Sequence, residues 1–457
     1  MVGIPFVPQA YDRGSFGLPV ARLQNLYVEK TGAGPTETAR LPRPGLVETY
    51  EYGSGPVRGI FTQAGVFSGA VFIVSGTTLY KNGVSAGTVP GSGLVRIAAS
   101  DSELVIVAAG EARTYDGSTL TLIDSTALPS VSDVVFLDGR FVYSGQDTGR
   151  IYWSAVGDAS SIYGLAFATA EANPDPIIGL ATDGDILVIF GSSSVELWTV
   201  TGDDDLPFQR ISGGRYSRGC AAQGSIAYLD NATVWIGDDR VIYRGGSEPR
   251  RISTHGVEAA LARCTSISTA TAFEALTEGH RFLVVNIPGE TSFAYDVSTE
   301  TWAEWTSYGR TTFRGCCSVL SDGSTLVGDA STGQVFTLTA GVFTDDGSII
   351  TFLASAFIAA NIRTRCDSVT LQGARGVGLS TGQGSAPITE IRWSDDGGRT
   401  WGAWRQASPG AVGDYRARAQ WRRLGLIREP GRAFEVRTTD PVLASMFGLL
   451  MNEAAIG

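Results

Sequence analysis

Apolar positions in this chain come in short runs cut by polar turns, most plainly in PDPIIGLATDGDILVIFGSSSVELWTVTG from Pro174 to Gly202. Ile177, Ile178, Leu180 and Ala181 predict one strand. Thr182-Asp183-Gly184-Asp185 predicts a tight turn in which Gly184 takes positive φ. Ile186 to Phe190 is a nearly unbroken β-branched and aromatic run, as a strand buried on both faces requires. Beyond Gly191-Ser192-Ser193-Ser194, Val195, Leu197 and Thr199 alternate with Glu196, Trp198 and Val200 into a third strand. Three antiparallel strands joined by tight turns make most of a propeller blade.

The pattern recurs across residues 55–345, with turns at Asn82-Gly83, Asp116-Gly117, Asp138-Gly139, Asp230-Asn231 and Asp322-Gly323. About seven units of roughly 35 to 50 residues result, the period of a β-propeller; six to eight blades are compatible with the pattern. Repeats bury their cores only against neighbours, so the ring has to close, and a strand from before the repeats is the expected partner of the last blade. Residues 1–54 are Pro-rich and predict an extended N-terminal arm lying over other elements or over a neighbouring subunit. One helix is expected, Val257 to Ala262 behind Ser253-Thr254. In residues 346–457 the spacing changes. Hairpin signals around Asp395 to Gly398 and strands at Arg418 to Ile427 and Phe434 to Thr438 predict a small β-sandwich-like attachment domain.

Composition narrows the function. The 457 residues include 58 glycines, scattered without a collagen-like period, which suits an all-β chain with many turns. A formal net charge of −11 disfavours broad binding to nucleic acid or anionic membranes. The start, MVGIPFVPQAYDRG, lacks the basic and continuous apolar regions of a secretory signal, and no run reaches the ~18 apolar residues of a membrane span. A soluble protein made in a cytosol, without membrane insertion, is expected. The five cysteines (Cys220, Cys264, Cys316, Cys317 and Cys366) are odd in number and dispersed, as reduced thiols are. Adjacent Cys316 and Cys317 would point to opposite faces of a regular strand.

Chemistry-bearing motifs are few. His255 and His280, the only histidines, sit in no triad or metal-ligand spacing, and no cofactor or metal is expected. Asp203-Asp204-Asp205 reads as a solvated loop, because neighbouring carboxylates on extended chain point apart. Ser394-Asp395-Asp396-Gly397-Gly398-Arg399-Thr400-Trp401 resembles the Asp-box hairpin of sialidases and other propellers. There the carboxylate of Asp396 would cap the turn begun at Ser394, Gly398 would allow positive φ, and Trp401 would pack beneath. Such a box is a stable turn rather than a catalytic centre. In Arg416-Ala417-Arg418-Ala419-Gln420-Trp421-Arg422-Arg423, a strand would place Arg416, Arg418, Gln420 and Arg422 on one face. With Arg423 this is a positive stripe in an acidic chain, either a solvated edge that discourages aggregation or a docking surface for an acidic partner.

Four segments in order carry a family resemblance: GRIYWSAVGDASSI, DPIIGLATDGDILVIFGSSSVELWTVTG, HRFLVVNIPGETSFAYDVSTETW and WRRLGLIREPGRAFEVRTTDPV. They resemble the packaged-DNA stabilisation proteins, or tail hub and nozzle proteins, of short-tailed phages. The resemblance implies a non-enzymatic virion protein. It implies a homo-hexameric ring below the portal and its adaptor ring, with double-stranded DNA passing through the lumen without specific binding. It also implies contacts with a tail needle or plug and with tailspikes or fibres. An acidic lumen would let phosphates slide. The competing reading is a propeller that binds or hydrolyses glycans, suggested by the Asp box and nine tryptophans.

Overall fold

The computed structural model describes residues 1–14, 20–32, 37–124, 126–170, 173–246 and 248–455. Six blades are four-stranded antiparallel meanders of consecutive strands, spanning 57–88, 96–122, 131–169, 177–216, 227–251 and 271–304. A further sheet, six-stranded, closes the ring as a seventh blade. Gly315–Ser321, Ser324–Asp329 and Gln334–Thr339 supply three strands, Gly45–Glu51, from before the repeats, pairs antiparallel with Gln334–Thr339 as the fourth, and the short strands Thr344–Asp345 and Ser348–Ile349 follow it. The first strands of successive blades lie side by side around the centre, and the first strand of the seventh blade packs on that of the first.

The period of two explains why the ring coheres. Along Leu104–Ala108 every residue is buried, yet the two faces serve different neighbours. Leu104, Ile106 and Ala108 join the apolar cluster with Phe72 and Val74 of the first blade, while Val105 and Val107 join Phe141 and Tyr143 of the third. The outer strands lose this double cover, so Arg250–Arg251 is exposed. The turns behave as their residues require: Asp138-Gly139 and Asp322-Gly323 take positive φ at both positions, and Gly184 has a φ of 57°. The helix runs His255–Arg263, with Thr254 accepting the Val257 N–H, and its Val257 and Leu261 fill the cluster between the fifth and sixth blades.

Several described strands within residues 1–54 pair with later elements. Leu23–Gln24 pairs parallel with Thr301–Glu304 of the sixth blade and antiparallel with Phe352–Ala359. It thereby fuses that blade with one sheet of a C-terminal sandwich into a single nine-stranded sheet. The opposite sheet of the sandwich is built on Thr364–Gly373 and Met446–Ala455, joined by Val2–Ile4 and by the hairpin Leu26–Lys30/Thr38–Pro42. Phe352, Val369, Phe434, Val436, Leu449 and Trp421 fill the space between.

Candidate docking surface and the loops around it

The Asp-box segment forms the turn its residues encode. Asp396 accepts N–H bonds from Arg399 at 2.9 Å and Thr400 at 2.9 Å, and the Thr400 hydroxyl at 2.6 Å. Ser394 donates to Asp396 at 2.6 Å and accepts from the Gly398 N–H at 2.9 Å. Hydrogen bonds from Ser394 and Thr400 hold the Asp396 carboxyl far below the ordinary carboxylate range. Gly397 and Gly398 take φ of 76° and 94°. The carboxylate is thus occupied by its own loop. Trp401 is half-buried and stacks on the Arg392 guanidinium at 4.7 Å, which Trp404 covers from 4.6 Å; Arg437 lies 4.0 Å from the Trp404 ring. Arg392 and Arg437 are fixed in turn by Glu435 at 2.6 Å and Glu390 at 2.7 Å. This arginine–tryptophan stack escaped sequence reasoning, although the alternation Glu390, Arg392 against Glu435, Arg437 on two strands is its signal.

The arginine segment differs from its expected form. One strand over 418–427 is replaced by two short ones, Gln420–Arg422 and Leu426–Ile427, and Arg416 lies in a preceding turn. Arg423 takes a φ of 59°, and its N–H reaches the Asp367 carbonyl at 2.8 Å, so the chain bulges there before pairing resumes at Leu426 with Arg365. The single strand face does not form. Arg416, Arg418, Arg422 and Arg423 are nevertheless all exposed, and among the described residues none makes an ion pair. Exposed Val412 and Tyr415 precede them in the chain and exposed Leu426 follows, an apolar component that the charge pattern concealed.

Several other titratable groups are tied into the fold. Asp203 to Asp205 form a solvated loop in which Asp203 accepts its own downstream N–H groups and Asp204 pairs with Arg140 at 2.8 Å. Asp133 ties three inner strands together at the ring's centre, bonding Arg96 at 2.7 Å and the Leu180 N–H at 2.9 Å. His280, on the sixth blade, lies between Asp296 at 2.9 Å and Glu29 of the N-terminal segment at 2.7 Å, with Tyr27 tilted over the ring. The hydrogen bond with Asp296 raises its pKa; burial opposes and Glu29 reinforces. His255 is exposed at the helix start. Among the described residues no three His, Cys, Asp or Glu side chains converge to hold a metal ion.

Propeller and sandwich, in this order and joined by the N-terminal segment, match a known pair of family descriptions. Residues 24–342 match "Bacteriophage P22 Gp10, beta-propeller" and residues 350–452 match "Bacteriophage P22 Gp10, beta-sandwich". The chain belongs to the bacteriophage P22 Gp10 family. Within the Gp10 family, the "Tail hub protein gp10" of Salmonella phage P22 is 28% identical over 281 residues. That match covers 56% of this chain and 58% of the relative, less than two thirds of its length. A computationally designed protein, Ika8, is similar over 70% of this chain and 99% of its own, at 16% identity and a TM-score of 0.40; at that level the likeness says nothing about function.

Proposed function

We propose that this chain is a structural tail hub of a short-tailed phage virion, not an enzyme. Six copies form a ring below the portal-adaptor, extend the DNA channel, retain the packaged genome and support the needle and tailspikes. The observation that carries the reading is the match of both Gp10 domains, in order, over most of the chain. The name of the P22 relative, a tail hub protein, supports it. The charge is consistent with it, because a surface of net −11 does not grip phosphates that must later slide past.

Within this reading, Arg416, Arg418, Arg422 and Arg423, with exposed Val412 and Tyr415 just before them in the chain, dock the sandwich on the adaptor ring. Exposed cations beside exposed apolar side chains suit a protein interface. The test is to delete the gene in its phage and image the particles. Heads that fill but lose DNA, together with a sixfold ring of this chain below the adaptor in complemented particles, are the expected result. Absence of the chain from the virion, or a ring of another symmetry, would overturn it.

A further inference from the structure

The joint that closes the propeller carries two thiols in an unusual relation. A regular strand would send the neighbouring side chains of Cys316 and Cys317 to opposite faces. Instead, Gly315 pairs with Asp329 and Cys317 with Gly328, leaving Cys316 as the extra residue of a β-bulge. The bulge turns both sulfurs the same way, 3.8 Å apart. Cys316 donates to the Val57 carbonyl of the first blade at 3.1 Å and lies 3.4 Å from the Gly328 carbonyl of its own. Both cysteines are partly exposed and line a 440 Å³ cavity at the centre of the ring, with Pro56, Val57, Thr271 and Pro288. Cys220 and Cys366 are buried, and Cys264 caps the helix, donating to the Ala260 carbonyl.

We propose that Cys316 and Cys317 are a two-sulfur site for a soft, thiophilic centre, a trivalent arsenical or monovalent copper, bound within the first strand of the seventh blade. Direct oxidation of the pair is the poorer use of this geometry. Neighbouring Cα atoms lie ~3.8 Å apart, below the ~4.4–6.8 Å span of ordinary disulfides, so a bond between the sulfurs would be strained and readily reduced. A third atom bridging the sulfurs avoids that constraint, and sulfur ligands select soft centres. With an arsenoxide the step is R–As=O + 2 R′SH → R–As(SR′)₂ + H₂O. Two As–S bonds replace As=O, the thiol protons leave as water, and arsenic stays trivalent. With copper(I), two thiol protons are released as two Cu–S bonds form, and no electron moves.

The experiment titrates the reduced, folded full-length chain with phenylarsine oxide and reads intact mass and peptide mapping. One equivalent per chain, mapped to the Cys316–Cys317 peptide, is expected. Cys316→Ser and Cys317→Ser should each abolish uptake, and Cys264→Ser should leave it unchanged. Circular dichroism of both serine variants checks that they fold, and alkylation of wild-type Cys316 and Cys317 before titration gives the same test without mutation. A parallel titration with copper(I) held by a weak competing chelator separates the two centres: uptake of either at one equivalent supports the site. Uptake that survives loss of both thiols, or folded wild-type chain that takes up neither probe, overturns it.

Discussion

Arg43 and Asp345 form a two-point ion pair, 2.9 and 2.7 Å long, with no exposure of the guanidinium and 1% of the carboxylate. Arg43 lies between the N-terminal hairpin and the closing strand, and Asp345 lies where the propeller passes into the sandwich. Asn25 and the carbonyls of Pro44 and Thr306 take up the remaining guanidinium donors, and Ser307 donates to the carboxylate. Arg43 also lies over Phe313 at 5.0 Å. The pair therefore holds the ring closure and the domain junction in one place.

Removing one partner should be costly because the other stays buried and charged. Arg43→Met or Asp345→Leu is expected to destabilise by ~3–5 kcal/mol, and the double substitution should recover much of the loss. Urea midpoints of the three variants check this. Additive losses in the double variant would show that the two side chains act separately.

His280 should make attachment of the N-terminal segment pH-dependent. Its folded pKa is raised by Asp296 first and, against burial, by Glu29, while Tyr27 and Glu278 also face the cluster. A raised folded pKa gives stability that is full below the unfolded value of ~6.5 and is lost as pH rises through the folded value. Melting temperature should therefore fall over that interval in the wild type and stay flatter in His280→Gln. NMR titration of His280 should place it above the ordinary histidine value of ~6.5. Identical pH profiles for wild type and variant would contradict the assignment.

Asp396→Ala should lower the melting temperature by a few degrees, because at least three donors of its loop lose their acceptor together. Asp396→Asn should be milder, since it keeps one acceptor oxygen. Calorimetry of the purified chain reads the effect. An unchanged melting curve would mean that the loop is held by the arginine–tryptophan stack rather than by the carboxylate.

Arg416→Ser, Arg418→Ser and Arg422→Ser combined should leave the isolated chain folded, since all three side chains are exposed. Joining of wild-type chain to adaptor-bearing heads should slow as salt shortens the Debye length below ~10 Å. The triple variant should already be slow at low salt, respond little to added salt, and give particles that leak DNA. A normal joining rate with a retained genome would make the arginines a solvated edge.

Local features were legible in the sequence because their partners are close along the chain. The apolar alternation set the strands, Asp-Gly and Asn-Gly pairs set the hairpins, Thr254 capped the helix, and Ser394, Asp396 and Thr400 closed their turn within a few residues. Tertiary structure decided what depends on how turn geometry accumulates around a ring. Arg43 meets Asp345 across 302 residues and His280 meets Glu29 across 251, separations that no periodicity reports. The same holds for Gly45–Glu51 as the particular strand that completes the seventh blade. The bulges at Cys316 and Arg423 follow from matching one strand to a partner fixed elsewhere, so they reversed the expected side of a thiol and broke the expected arginine face. Strand propensity belongs to a segment, whereas register belongs to a pair of segments, and the pair exists only once the fold has closed.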